Sequence, residues 1–304
     1  MKLKNSNEKL SLRMLMPVMY ASTVLLVILR TFQLTRYIDS ETGFLTGGEF
    51  LNVIFLLIIA VAVVFFTVVS FLSSESKNVE LVAVKDKACF VAALVFGISL
   101  IYDSFSSFKN SVVIVDDLYI DAFGSNADLF KQLMSSGVLP YALQSVFALA
   151  SAIYLFILAK SFSKGSKAAY NHKYIALAPV AWAAFKIITR FVKQISYIRV
   201  SDLFLELIML ALMILFFVAL AQVASGIYSD ASRWRVTALG LGGALLSLSI
   251  NIPRLILAVF VPSFVNSEYP FNLADAVFGF FAICVSMAAI KVSSAKISDS
   301  ELMP

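Results

Sequence analysis

Eight apolar stretches, each about long enough to cross a bilayer, alternate with segments that are by turns richer and poorer in lysine and arginine. A helix needs about 20 residues to cross roughly 30 Å of hydrocarbon, and most of the stretches reach that length. Hydrophobic residues make up 60% of the chain and charged residues 14%, more apolar surface than a soluble domain can bury. The sequence therefore predicts an all-α fold, a polytopic transmembrane helix bundle with spans at residues 15–37, 50–72, 88–103, 138–159, 174–197, 202–223, 236–261 and 271–290.

The charges between these stretches predict the orientation of the chain. Lysine and arginine side chains lie before the first stretch, after stretches two, four and six, and after the last, whereas the segments 38–49, 104–137 and 262–270 are acidic. Positively charged segments stay in the cytoplasm, so both termini are expected there. The basic balance follows from this bias and predicts no nucleic-acid partner. No Asn-x-Ser/Thr acceptor is present, which fits the cytoplasmic membrane of a bacterium.

The order of matching segments indicates an internal duplication. Residues 17–21 read PVMYA and residues 179–183 read PVAWA, and Arg30 and Arg190 each precede a Tyr-Ile pair by seven residues. We interpret residues 1–160 and 161–304 as two four-helix repeats in parallel orientation, although chance matches between apolar sequences are the alternative. The first half contains a long outer loop, residues 104–137, in which Ser125 to Asp128 resembles a helix-capping box. This loop is either a lid over the outer mouth or a passive surface segment.

Residues that support familiar catalytic or metal sites are scarce. His172 is the only histidine, and it lies in a segment expected to be cytoplasmic. Asp116, Asp117 and Asp121 form a single acidic cluster without a second cluster or a basic partner, so we predict no metal there. No glycine-rich phosphate loop occurs, because the glycines at 240, 242 and 243 lie inside a stretch, where they favour close helix packing. The sequence predicts no enzyme and no cofactor.

The charges inside the stretches are the exception. Lys186, Arg190 and Lys193 share one helical face at spacings i, i+4 and i+7, and Glu206 follows in the next stretch. A charge near the bilayer centre costs about 2.5–3.5 kcal/mol on insertion scales, so this face should avoid lipid. The cautious interpretation is a structural ion-pair network between stretches five and six. Asn251, followed by Pro253, indicates either a simple kink or a backbone break at a binding site.

Three arginines should lie at one depth. Arg30, Arg190 and Arg254 each fall seven or eight residues before the outer end of an outward-running helix, about 10–12 Å below the surface. Glu206 lies within reach, whereas Asp103 and Asp275 do so only if their helices extend further than drawn. Surplus positive charge in an apolar setting calls for an anion, which the planar fork of arginine binds well. We predict an outward-facing anion site lined by Arg30, Lys186, Arg190, Glu206, Asn251 and Arg254, with separate snorkelling of each arginine as the alternative.

This site suggests a carrier or receptor for a small anionic solute or lipid headgroup. The alternative is a non-catalytic accessory subunit whose charges hold helices together, with a membrane protein rather than a solute as its partner. The segment RTFQL at 30–34, the segment DSETGF at 39–44 and residues 204–206 resemble multi-pass membrane proteins of Gram-positive bacteria. That resemblance implies a bacterial membrane location and no particular activity.

Overall fold

The computed structural model describes residues 2–37, 47–72, 85–122, 136–165, 167–192, 200–226, 232–260 and 271–302. Within these ranges all the long elements are helices: α1 (Lys2–Arg36), α2 (Glu49–Leu72), α3 (Lys87–Ala122), α4 (Val138–Lys164), α5 (Ala178–Val192), α6 (Val200–Ala224), α7 (Ser232–Phe260) and α8 (Leu273–Leu302). Two short 3-10 segments, Lys167–His172 and Ile175–Leu177, join α4 to α5. The predicted all-helical fold class is confirmed.

Seven of these helices are long and apolar enough to cross a membrane. The helix that falls short is α5, whose described length of 15 residues corresponds to roughly 22 Å. Its α-helical turns begin at Ala178 rather than at 174, because residues 175–177 form a 3-10 turn instead. The end of the predicted stretch, residues 193–197, lies outside the described residues. The coarse prediction of a membrane-type helix bundle therefore holds, whereas the number eight stays a prediction.

Helix α3 differs most from expectation. The sequence predicted a stretch ending at 103 and a loop from 104 to 137, but α3 continues to Ala122 and has 36 residues. The reason is that the polar residues at which the apolar stretch ends, Asp103 and Ser104, are buried and bind neighbouring helices. Ser104 Oγ, for example, lies 2.9 Å from the backbone oxygen of Ser145 on α4. The remainder of the predicted loop, including Ser125 to Asp128, lies outside the described residues.

The start of α3 has a recognisable local cause. Asp86 precedes the helix, and its Oδ1 accepts hydrogen bonds from the backbone N–H groups of Ala88 at 2.8 Å and Cys89 at 3.2 Å. These are among the N–H groups that a helix leaves without internal partners at its first turn. Aspartate is one of the side chains that best satisfies them. Asp86 therefore fixes where α3 begins.

The helices pack around α7 and around an aromatic core. Helix α7 contacts α1, α2, α6 and α8, while α3 packs along α4 and α8, and α5 packs between α4 and α6. Phe96 of α3 is fully buried, and its ring lies 5.4–6.1 Å from the ring centroids of Trp182, Phe217, Phe278 and Phe281. These rings come from α5, α6 and α8, so one cluster holds four helices together.

The glycines of α7 allow close contact, as their position inside a stretch suggested. A Cβ atom added at Gly240 would overlap Ser286 Oγ of α8 and approach Phe216 of α6 to 3.0 Å. On the facing helix, a Cβ added at Gly279 would lie 2.8 Å from Ser247 Oγ. Small residues on both helices thus bring the backbones of α7 and α8 together, a packing mode common within membranes.

Helix α7 runs unbroken through residues 251–254, so a backbone break at Pro253 is not observed. The side-chain amide of Asn251 donates to the backbone oxygen of Ser247 at 2.9 Å, one turn earlier. The interfaces α3–α4 and α7–α8 join corresponding helices of the two predicted repeats, but α7 also packs on α1 and α2 of the first. The duplication stays a prediction.

Candidate functional site

Six charged side chains from five helices meet near one end of the bundle. All except Arg190 are more than nine-tenths buried. Arg190 retains 21% exposure of its side chain. These six, which we call the central cluster, are Asp103 on α3, Lys186 and Arg190 on α5, Glu206 on α6, Arg254 on α7 and Asp275 on α8.

Glu206 binds two of the predicted arginines. Its Oε1 lies 2.5 Å from Arg254 Nη1, and its Oε2 lies 3.3 Å from Arg190 Nε. The sequence predicts ion pairs between stretches five and six, and the pair of Arg190 with Glu206 is one of them. One carboxylate therefore forms ion pairs with two guanidinium groups.

Lys186 binds carboxylates that the sequence placed only conditionally. Its Nζ lies 2.5 Å from Asp275 Oδ1 and 3.9 Å from Asp103 Oδ1. The shorter distance is a charge-assisted hydrogen bond, whereas the longer one exceeds hydrogen-bonding range. Lys186 Nζ also lies 5.0 Å from the centroid of the Trp182 ring, within the range of a cation–π contact.

Asp103 is held by neutral donors. Its Oδ2 accepts hydrogen bonds from Trp182 Nε1 at 2.8 Å and from Gln144 Nε2 at 3.1 Å. Gln144 in turn accepts a hydrogen bond from Thr189 Oγ1 at 2.9 Å. Trp182, Lys186 and Thr189 follow one another along one face of α5, so this face contacts α3, α4 and α8 rather than lipid.

A partly open cavity of about 240 Å³ lies against these charges. Its walls are α3, the first turns of α4, the last turns of α5 and the segment leading into α8. All of these belong to the end of the bundle that the loop charges predict to face outward. Most of the side chains lining it are polar: Tyr102, Asp103, Ser106, Ser107, Asn110, Tyr141, Gln144, Lys186, Thr189, Arg190 and Asn272.

Arg190 offers free donors to this cavity. Its Nε binds Glu206, but its terminal Nη1 and Nη2 groups have no hydrogen-bond acceptor among the described residues. A guanidinium carries five N–H donors in a fixed plane, so four remain. Such a fork matches the two oxygens of a carboxylate or phosphate. The arrangement can therefore accept an anionic group without breaking the pair with Glu206.

The other predicted site residues lie away from the cavity. Arg30 donates from Nη1 to Gln33 Oε1 at 3.0 Å and stacks over the Phe55 ring of α2, and it does not line the cavity. Arg254 and Glu206 lie behind Arg190, and Asn251 is buried within α7. The structure thus brings Arg190 and Arg254 together on Glu206, and it places only Lys186 and Arg190 of the predicted set at the cavity surface.

The expected surplus of positive charge is wrong for the central cluster. The sequence counted one or two carboxylates against the arginines, but Asp103, Glu206 and Asp275 all lie at this level and balance Lys186, Arg190 and Arg254. The error came from ending α3 at Asp103, which placed that residue near the surface. In the longer helix it is a buried mid-helix residue.

Several cavity residues were missed for the same reason. Asp103, Ser107 and Asn110 fall at i, i+4 and i+7 in α3, and together they form a polar face that lines the cavity. Asp103 was considered only on the condition of a longer helix, and Ser107 and Asn110 lay within the predicted loop, so this polar face was not predicted. Gln144 was also missed, and its signal was a lone amide inside an apolar stretch.

Comparisons with protein-family models, with curated proteins and with solved structures found no match for this chain.

Proposed function

We propose that this protein is a carrier or receptor that binds a small solute or lipid headgroup through an anionic group. The observation that carries this proposal is Arg190, a guanidinium that lines a partly open cavity while its terminal N–H groups have no acceptor among the described residues. The planar fork of a guanidinium matches the two oxygens of a carboxylate or phosphate. An anionic ligand would supply the acceptors that the described residues do not.

The position of the cavity supports a binding role. Its walls come from α3 and α4 of the first predicted repeat and from α5 and the α8 segment of the second. Transporters built from repeats bind their substrates between them. The cavity also lies at the predicted outer end, where a solute or headgroup would arrive without crossing the bundle.

We propose further that the chain crosses a bacterial cytoplasmic membrane eight times, with both termini in the cytoplasm. Seven long apolar helices support a membrane location. The eighth crossing would be α5 together with the residues that follow it. Its charged face is covered by α3, α4, α6 and α8, which removes the main cost of placing it in hydrocarbon.

An accessory, non-binding role is the second candidate, and the charge balance favours it. Three cationic and three anionic side chains pair within the central cluster, namely Lys186, Arg190 and Arg254 with Asp103, Glu206 and Asp275. Such a network holds helices together without any ligand. It does not require an open cavity lined by polar groups, and that difference is testable.

Thermal unfolding of the purified protein in detergent separates the two roles. The ligands are small carboxylates and phosphates, each with and without an amino group. A ligand present at a hundred times its dissociation constant stabilises the folded protein by about 2.7 kcal/mol, which raises the unfolding temperature by a few degrees. We expect such a shift with at least one ligand, and uptake into proteoliposomes would then separate a carrier from a receptor.

The Arg190→Gln variant should weaken that binding about tenfold to a hundredfold, because hydrogen bonds to charged groups contribute about 1.5–3 kcal/mol. Arg235→Gln is the matched control, since Arg235 is exposed and lies over the Trp234 ring, near the end of α7 that is remote from Arg254. Equal loss of binding in both variants, or no shift with any ligand, would favour the accessory role.

A further inference from the structure

The carboxylate of Asp103 is a second group at the cavity that can accept a further hydrogen bond. Asp103 Oδ2 already accepts two hydrogen bonds, from Trp182 and Gln144. Among the described residues, the cation beside Asp103 Oδ1 is Lys186 Nζ, and the distance of 3.9 Å is too long for a hydrogen bond. Lys186 itself is hydrogen-bonded to Asp275 at 2.5 Å. Asp103 thus presents an acceptor to the cavity that it lines.

The charges around the cavity are separated, although they sum to zero. Lys186 and Asp275 neutralise each other at 2.5 Å. Glu206 binds Arg190 through Nε, and the terminal N–H groups of Arg190 have no acceptor among the described residues, so Arg190 gives its side of the cavity a positive charge. Asp103 pairs with Lys186 only at 3.9 Å, beyond hydrogen-bonding distance, so its carboxylate is less fully neutralised and gives its side of the cavity a negative charge. The cavity therefore has a cationic wall and an anionic wall.

This separation discriminates between ligands. A simple anion bound at Arg190 would face the negative charge of the buried Asp103 carboxylate, and like charges repel each other. A ligand carrying both charges would satisfy both walls and would leave the net charge of the cluster unchanged. Each charge of such a ligand would be paired with an opposite charge of the protein, which offsets the cost of removing it from water.

We infer that the ligand is a small zwitterion, with its carboxylate or phosphate on the terminal N–H groups of Arg190 and its ammonium group on Asp103 Oδ1. This inference rests on the proposed function. Lys186 lies beside Asp103, and it precedes Arg190 by four residues on α5. The anionic and cationic walls are therefore about 6 Å apart along the helix axis. The volume of about 240 Å³ equals that of roughly eight liquid water molecules, enough for a molecule of amino-acid size.

A matched ligand series tests the inference on the unaltered protein. The zwitterions glycine, β-alanine and γ-aminobutyrate are compared with the acids acetate, propionate and butyrate and with the amines methylamine, ethylamine, propylamine and butylamine, by thermal shift and calorimetry. We expect at least one zwitterion to bind ten times more tightly than the acid and the amine of the same chain length. If the acids bind as tightly as the zwitterions, the inference is wrong but the proposed anion site stands. If no compound of the series and no phosphate ester binds, both are wrong.

A zwitterion could come from solution or from a lipid headgroup, and two further measurements distinguish these sources. Phosphoethanolamine is compared with ethanolamine and with inorganic phosphate, and the protein is reconstituted in nanodiscs of phosphatidylethanolamine or phosphatidylglycerol. Tighter binding of phosphoethanolamine, with γ-aminobutyrate excluded only in phosphatidylethanolamine nanodiscs, indicates a headgroup. Binding of γ-aminobutyrate that is equal in both nanodiscs indicates a soluble ligand. Either result supports a zwitterion site.

An Asp103→Asn variant assigns the ammonium contact. It should remove the tenfold preference for the zwitterion while leaving the affinity for the acid unchanged or higher. Asp86→Asn is the matched control, because Asp86 pairs with the exposed Lys291 at 3.6 Å and lies 17 residues before Asp103, about 25 Å along α3. Asparagine also retains the helix-capping role of Asp86. An equal loss of zwitterion preference in both variants would overturn the assignment.

Discussion

Lys186 lies between two carboxylates and forms a hydrogen bond with only one of them. Its ammonium group donates a hydrogen bond to Asp275 at 2.5 Å, but it is 3.9 Å from Asp103. Taking a charge out of water costs several kcal/mol, and the attraction to one well-placed partner largely offsets that cost. The pair with Asp275 therefore adds little net stability, but either member alone would be an uncompensated buried charge.

Removing only the lysine should be costly. We expect Lys186→Met to lower the free energy of unfolding by about 3–5 kcal/mol, because Asp275 then remains charged, buried and unpaired. The double variant Lys186→Met, Asp275→Leu should recover at least half of that loss. Chemical unfolding in detergent, followed by tryptophan fluorescence, measures both. A single variant as stable as the parent protein would contradict the burial of this pair.

Sequence reasoning reached some of these residues and not others. Arg190 and Glu206 were found because they lie on stretches that only four residues separate in the sequence, so their depths could be counted from a common point. Gln144 and Asp103 lie on α4 and α3, and their hydrogen bond depends on how those helices pack. Residue spacing along a single helix contains no such information. Neighbours in sequence were predictable, whereas partners across helices required coordinates.

At the scale of elements, α3 shows why polar residues are poor markers of helix ends. The apolar stretch stops at Asp103, yet the helix continues for 19 further residues to Ala122. Backbone hydrogen bonds inside a helix do not depend on whether its side chains are apolar, and a polar side chain needs only a partner. Asp103 and Ser104 find theirs on α4 and α5. Because residues beyond Asp103 were assigned to a loop, the wall of the cavity that α3 forms was not predicted.

The α7–α8 contact depends on one glycine more than on its neighbour two residues later. We expect Gly240→Ala to destabilise the protein by about 1–3 kcal/mol, because the added methyl group would overlap Ser286 Oγ and approach the Phe216 ring to 3.0 Å. Thermal unfolding in detergent would show this as a lower midpoint temperature.

Gly242→Ala is the matched control for this change. Its added methyl group would lie 3.6 Å from Val63 and 3.7 Å from Leu212, ordinary contact distances. Alanine is favoured over glycine inside a helix by about 0.5–1 kcal/mol, so this variant should be as stable as the parent or slightly more so. Equal destabilisation by both substitutions would show that Gly240 has no special role in helix packing.

For the whole molecule, the distribution of apolar side chains agrees with a position in a bilayer. Helices α1 and α2 expose large apolar residues along their length, including Val24, Ile28, Leu57, Val61 and Val64, each at least 59% exposed. Such a surface would be unfavourable in water, but hydrocarbon accommodates it. Composition alone predicted this class correctly, because 60% hydrophobic residues cannot all be buried. Composition does not determine the number of crossings, which is seven or eight according to whether α5 crosses the membrane.

Cysteine labelling tests the proposed topology on the full chain. Cys89 and Cys284 are first replaced by serine, and single cysteines are then introduced at Ser125, Ser166 and Ser298. With eight crossings and both termini inside, a membrane-impermeant maleimide should label Ser125→Cys on intact cells, and it should label Ser166→Cys and Ser298→Cys only after permeabilisation. Labelling of Ser166→Cys instead of Ser125→Cys would invert the orientation. Labelling of both Ser125→Cys and Ser298→Cys from outside would mean that the number of crossings is odd and that α5, with only 15 described residues, does not cross the membrane.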